Sequence, residues 1–241
     1  MPNWVFNSVV ISGDKPELDK LQAQLNKPVV KHFPEMKWNE EAKKYDQIAN
    51  TQTYSNPVFS FWNIIAPTDL EAYYGESYKH DSENLIESIA KGFQEGMDWY
   101  NWNVRNWGTK WDIAVADDEK YADTRIEETD DDSLLYYFQT AWSPVHEVFV
   151  ELAKQYPTLT FQYEYEEEQG WGGSVTWVNG EITEQTEYDI PDSHADFEAL
   201  DHRECNCQVD DDTDCWFADC PVTDTHDWDE ENECWVAKES V

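Results

Sequence analysis

The chain has 241 residues, enough for one large domain or one domain with an appendage, and 40% hydrophobic and 15% aromatic residues supply a core. Sixteen basic residues against 52 acidic ones leave a net charge of −36, a field that repels nucleic acid and anionic membranes and attracts basic partners. No apolar run approaches the roughly 18 residues of a membrane span, and the opening MPNWVFNSVVISGDK lacks the basic n-region of a signal peptide, so the cytoplasm is the expected location.

In chain order, residues 4–11 (WVFNSVVI) read as a first strand closed by Ser12-Gly13. Asp14, with Glu17 at capping-box spacing, starts a helix over 15–26 whose apolar stripe is Leu18, Leu21 and Leu25, and Pro28 ends it. The polar stretch 29–56 is expected to be a surface insertion, and 58–65 (VFSFWNII) a buried strand stopped by Ala66-Pro67, with a short helix near 68–74. A long helix is expected over 83–106, with Leu85, Ile86, Ile89, Phe93 and Met97 inward, followed by a strand at 110–116. Trp99, Trp102, Trp107 and Trp111 fall inside this region, and Asn106-Trp107-Gly108 is a helix stop. Either core or an exposed aromatic binding surface accounts for these tryptophans.

The segment 117–132 is dense in carboxylates and reads as a solvated loop or irregular hairpin. Residues 134–141 form a strand; Ser143-Pro144 opens a helix to about 155 with Val145, Val148, Phe149 and Leu152 inward. In 158–166 Leu159, Phe161, Tyr163 and Tyr165 alternate with polar residues, and Asn179-Gly180 joins 175–178 to an edge strand over 181–190 as a hairpin. From Pro191 the periodicity fails. Residues 191–241, with all five cysteines, are read as an acidic Cys-containing appendage to a domain spanning 1–190.

Four segments, MPNW with the strand ending ISG (11–13), FWNIIAP (61–67), WNVRNWGTKWD (102–112) and FQTAWSPV (138–145), together resemble the YubB-type ferredoxin-like-domain family of phage and plasmid proteins. Val145 stands where that pattern has a second proline. The resemblance spans about 190 residues and implies an α+β fold, a ferredoxin-like antiparallel sheet with helices on one face, and a mobile-element origin. It implies no activity.

The charge is uneven: residues 1–110 hold 11 Lys/Arg and 15 Asp/Glu, and residues 111–241 hold 5 and 37. Acidity on this scale also aids solubility or marks a salt-adapted host, but a salt-adapted surface would be acidic throughout. The expected partner-binding carboxylates are Asp117, Asp118, Glu119, Asp123, Glu127, Glu128, Asp130, Asp131 and Asp132 in one block. Glu164, Glu166, Glu167 and Glu168 form a second, and Asp210, Asp211, Asp212 and Asp214 a third. Cys205, Cys207, Cys215 and Cys220 have C-x-C and C-x4-C spacings that could hold a structural zinc, with free thiols as the competing reading. The run from Asp210 fails as a calcium loop, because Cys215 stands at the required glycine.

His146-Glu147 lacks the second histidine of a metalloprotease helix, and no phosphate loop or Gly-x-Ser-x-Gly elbow occurs. The expectation is a phage- or plasmid-encoded, non-catalytic inhibitor in the host cytoplasm. Its acidic surface, mimicking DNA, would bind a basic nucleic-acid-binding defence protein such as a restriction or CRISPR effector, without binding nucleic acid or membrane itself. The alternative is a regulatory or assembly module with a zinc-binding tail; an RNA-binding sheet is disfavoured by the charge.

Overall fold

A computed structural model describes residues 3–75, 85–113, 124–128, 131–190, 226–229 and 234–238. The chain divides into two compact units: one of residues 1–168 and 172–187, the other of 169–171 and 188–241.

The first unit is built on a six-stranded sheet. Its central strand is β1 (Trp4–Ser12), where β-branched residues alternate between a buried and a half-exposed face. Helix α1 (Lys15–Leu25) follows and buries Leu18, Leu21 and Leu25. Asp14 caps it through its backbone carbonyl, which accepts from the Glu17 and Leu18 amides, so the side-chain capping box is not formed. After two inserted segments come strands β4 (Arg125–Glu128) and β5 (Ser133–Ala141), helix α5 (His146–Gln155), and strands β6 (Thr160–Glu167), β7 (Gly172–Val178) and β8 (Glu181–Tyr188). The order across the sheet is β4-β5-β1-β6-β7-β8, with β1 antiparallel to both β5 and β6, and β4 antiparallel to β5. The first four of these strands, with α1 and α5 as crossovers, form the β-α-β-β-α-β split arrangement of the ferredoxin-like fold. Strands β7 and β8 extend it as a hairpin whose turn, Asn179-Gly180, has positive φ at both residues (55° and 81°), the type I′ signature.

One face of the sheet is covered. Val5, Val9 and Ile11 of β1, Tyr136 and Phe138 of β5, Phe161 and Tyr163 of β6, and Val175 and Trp177 of β7 are all buried. Phe149 of α5 centres this layer, its ring 4.5 Å from Tyr163, 5.9 Å from Trp177 and 6.4 Å from Phe138. The opposite face of the sheet is open to solvent, with Phe6 49% exposed.

The insertions agree with expectation at 29–56, which lies at the surface, and depart from it at 58–65 and 83–106. Residues 29–56 contain a long hairpin, β2 (Val29–Asn39) with β3 (Lys44–Tyr54), exposed along most of its length and anchored by buried Val29 and Tyr54 at its base. Residues 58–65, buried at Phe59, Ser60 and Phe61, form no strand: a 3-10 turn spans Phe61–Asn63. Helix α2 (Leu70–Tyr74) is capped by Asp69, whose side chain accepts from the Ala72 amide. The single long helix is two: α3 (Leu85–Glu95) and α4 (Trp99–Trp107), separated by Gly96 at φ 62° and restarted by Asp98, which accepts from the Asn101 amide.

Helix α3 does not turn the expected face inward, since Ile86 is 84% and Phe93 70% exposed. It packs on α2 through Gly92, where an added Cβ would lie 2.6 Å from the Ala72 carbonyl oxygen. The backbones approach too closely for any side chain there. No strand is present at 110–113, and 114–116 lie outside the described residues. In the second unit the described residues form one hairpin, β9 (His226–Asp229) with β10 (Cys234–Ala237).

Candidate functional site

The four sequence motifs meet in one corner of the first unit. Trp4 on β1 pairs with Ala141 on β5, and the Trp142 amide donates to the Asn3 carbonyl at 2.9 Å. Gly108 ends α4 at φ 80°, a left-handed conformation that favours glycine, and an added Cβ would meet the Pro144 carbonyl at 2.8 Å. The two turns are tied directly: Thr109 Oγ1 donates to the Ala141 carbonyl at 2.9 Å, and Ser143 Oγ donates to the Gly108 carbonyl. Ser143 is thus a structural link between the motifs.

Beneath this corner lies a buried polar chain. The Val145 amide donates to the Tyr163 hydroxyl at 3.0 Å, and that hydroxyl donates to Asn7 Oδ1. Asn7 Nδ2 donates to the Val5 carbonyl at 2.7 Å and to Thr140 Oγ1 at 3.0 Å, and Thr140 Oγ1 donates to the Ser143 carbonyl at 2.8 Å. Burial pushes the Tyr163 phenol far above its usual range, so it stays a donor. This network holds Trp142 at φ 69°, a sparsely populated conformation for a bulky side chain, with the residue 44% exposed. Trp142 stacks on Trp111 at 6.4 Å, and the Lys110 ammonium sits 4.3 Å from the Trp111 ring and 4.8 Å from Trp142.

The tryptophans of the motif stretch divide between two roles. Trp102 and Trp107 are buried, with Trp107 Nε1 donating to the Ile65 carbonyl at 3.0 Å, while Trp99 is 41% exposed. Asp112, 5% exposed, accepts from Ser60 Oγ at 2.7 Å and from the amides of Phe61 at 2.8 Å and Trp62 at 3.3 Å. These elements enclose a cleft of ≈ 490 Å³ whose lining includes Trp62, Tyr73, Tyr74, Trp99, Trp111 and Asp112.

The expected acidic contact residues are only partly brought together. On β6 the two-residue period of the strand splits the second block. Glu164 is exposed and Glu166 half-buried on the open face, whereas Glu167 is 2% exposed on the covered face, paired with Val5 in register. Glu167 therefore does not belong to a contact surface. Glu168, Asp131 and Asp132 are exposed, and Glu127 and Glu128 lie on the outer strand β4. Asp117, Asp118, Glu119, Asp123, Asp130, Asp210, Asp211, Asp212 and Asp214 lie outside the described residues, as do Cys205, Cys207, Cys215 and Cys220. Among the described residues no group of three His, Cys, Asp or Glu could hold a metal ion.

Sequence reasoning missed two members of the open face. Phe6 and Tyr137 stand on the central strands β1 and β5, diagonal to one another across the Ser8–Tyr137 and Phe6–Gln139 pairs. On the other side Ser8 pairs with Glu164 and Phe6 with Glu166. The Arg125 guanidinium lies 4.5 Å from the Tyr137 ring. The result is a shallow depression of ≈ 220 Å³ with aromatic rings beside carboxylates. The signal was present in the alternation of β1, where Phe6 falls out of phase with Val5 and Val9.

Fold and site together define a ferredoxin-like α+β domain with an extended sheet. Residues 120–210 match a family model described as a ferredoxin-like domain in Api92-like protein. Among solved structures the chain is similar to the protein api92 from Yersinia pseudotuberculosis, at 10% identity and a TM-score of 0.40, covering 79% of this chain and 99% of that one. No curated protein matches the chain significantly. Among the described residues no helix is long and apolar enough to cross a membrane.

Proposed function

We propose that this chain is a non-catalytic binding protein, of phage or plasmid origin, whose acidic sheet face engages the nucleic-acid-binding groove of a host protein. The observation that carries the reading is the open face: Glu164 and Glu166 stand beside Phe6 and Tyr137 in one shallow depression. Two carboxylates two residues apart on a strand are about 7 Å apart, a spacing that a run of basic side chains can bridge. The aromatic rings offer stacking surface to arginine guanidinium groups. The half of the chain that supplies Tyr137, Glu164 and Glu166 carries 37 acidic residues against 5 basic ones, so association is steered from a distance and weakened by salt. A restriction or CRISPR effector is the fitting class of partner, because its groove is built to accept a polyanion.

Aromatic residues on the two central strands of such a sheet also suit base stacking, as in RNA-recognition folds. The adjacent carboxylates oppose it. The experiment immobilises the full chain, exposes it to host extract at low salt and elutes in steps with duplex DNA and then with salt. The expected result is a nucleic-acid-binding enzyme released by duplex DNA and lost when Glu164→Gln and Glu166→Gln are combined. A partner indifferent to DNA, to salt and to both substitutions would overturn the reading, as would a gel shift with single-stranded RNA at low salt.

A further inference from the structure

The ≈ 490 Å³ cleft is separate from the open sheet face and is built from a different set of residues. Three rings of its wall pack on one another: Trp62 is 5.9 Å from Tyr74, and Tyr73 meets Tyr74 at 4.7 Å with the rings nearly perpendicular. Trp99 from α4 supplies further aromatic surface, while Trp111 lines the cleft with its ring already 4.3 Å from the Lys110 ammonium. Such rings present electron-rich faces, and two or more facing one cavity attract a cation. The wall also contains the Asp112 carboxylate. Among the described lining residues the other charged side chain is Lys31, whose ammonium lies 4.7 Å from the ring of Tyr54, a residue not among them.

What kind of cation fits is decided by the hydrogen bonds. Five polar groups of the wall, those of Asp112, Asn103, Tyr73, Tyr74 and Trp107, are engaged by the protein itself. Asp112 accepts from Ser60, Phe61 and Trp62. Asn103 Oδ1 accepts from the Tyr73 hydroxyl at 2.8 Å, while its Nδ2 donates to the Lys110 carbonyl at 2.8 Å. Burial raises the Tyr73 phenol well above its normal range, so that hydroxyl remains a donor to Asn103. Trp107 Nε1 is held by Ile65 and the Tyr74 hydroxyl by Val30. An unmodified lysine ammonium entering here would leave water and meet acceptors already in use, at a desolvation cost. A quaternary ammonium carries no N–H to satisfy, and its methyl groups pack on rings.

We infer that this cleft binds the side chain of a trimethylated lysine presented by a protein partner. The cleft is large enough for the aliphatic stem as well as the head group, and Trp99, 41% exposed, leaves one wall at the surface where a protruding side chain can enter. The net charge of −36 favours a partner whose surrounding sequence is basic. This inference does not rest on the sheet-face reading, since the two sites share no residue.

The test titrates the full chain with four probes, followed by tryptophan fluorescence and by the indole N–H signals of its NMR spectrum. They are a short peptide carrying trimethyllysine, the same peptide with lysine, the same peptide with the neutral tert-butyl isostere of trimethyllysine, and adenosine monophosphate. Trimethyllysine is expected to bind roughly tenfold tighter than both lysine and the neutral isostere, as desolvated cation–π contacts imply. Trp99→Leu should reduce that affinity by a similar factor, while Trp38→Leu, an exposed tryptophan on β2 outside the cleft, should leave it unchanged. Equal binding of the isostere would reduce the cleft to an apolar pocket and overturn the inference. Preferential binding of the nucleotide, with Lys31 reading its phosphate, would overturn it too, as would no binding by any probe at millimolar concentration. The comparison of probes on the unmodified chain does not depend on any variant folding.

Discussion

Replacing Tyr163 by phenylalanine removes one oxygen from the buried core and leaves the ring in place. That oxygen serves two groups at once, accepting from the Val145 amide and donating to Asn7 Oδ1. Asn7, Val145 and Tyr163 are all buried, so both former partners are stranded away from water. Leaving a buried polar group unsatisfied costs roughly 1–3 kcal/mol. Two such groups, with some local relaxation, give an expected destabilisation of about 3 kcal/mol. At roughly 2–4 °C per kcal/mol for a chain of this size, the midpoint of thermal unfolding should fall by about 6–12 °C. The assay is urea unfolding of Tyr163→Phe, Asn7→Ala and the double variant. The double variant should lose less than the two singles combined, because each single already breaks the shared chain. A loss below about 0.5 kcal/mol for Tyr163→Phe, or strict additivity, would refute the buried-network reasoning.

Gly108→Ala should cost at least about 1–2 kcal/mol from the left-handed backbone, and more because the new methyl faces the Pro144 carbonyl at 2.8 Å; an unchanged urea midpoint would contradict the tight contact between the two motifs. His146 is depressed below the usual histidine range, chiefly by burial, with Glu147 and Glu187 opposing the shift. A histidine lowered in the folded state takes up its proton later than the unfolded chain does, so its effect is to cost stability as pH falls below the unfolded value of about 6.5. His146→Phe should therefore lose less stability than the parent between neutral and mildly acidic pH, as measured by parallel urea titrations, and identical pH curves would sink that assignment. Glu164→Gln with Glu166→Gln should leave the unfolding midpoint within about 0.5 kcal/mol of the parent, since both side chains reach the open face. A large loss of stability would show that these carboxylates are structural.

The sheet was legible in the sequence because its inner strands β1 and β6 keep a two-residue alternation. Leu159, Phe161, Tyr163 and Tyr165 all point under the helices, and Asn179-Gly180 forms the hairpin turn its residues favour. A continuous apolar run misled at 58–65. Phe59 and Phe61 are both fully buried two residues apart, but the backbone amides that a strand would offer to a neighbour are taken by Asp112, distant in sequence. Helix α3 was misread because apolar content was taken as the buried face, whereas close approach to α2 selected Gly92. The acidic blocks were legible as composition only. Which carboxylates face outward depends on strand phase, and Glu167 differs from Glu166 by that alone. The aromatic cleft was not legible as a cavity, since its walls come from segments separated by some 80 residues, from Lys31 to Asp112.

Strand β8 has a further consequence. Among the described strands it is the outermost, beyond β7, and residues 181–187 are exposed on both faces. A bare strand edge is a template on which another chain can add itself, the first step toward aggregation. Here Glu181, Glu184 and Glu187 line that edge, so a second copy aligned against it would bring like charges together along the whole register. The acidity of this half of the molecule thus acts as a guard against self-pairing, independently of any partner it attracts.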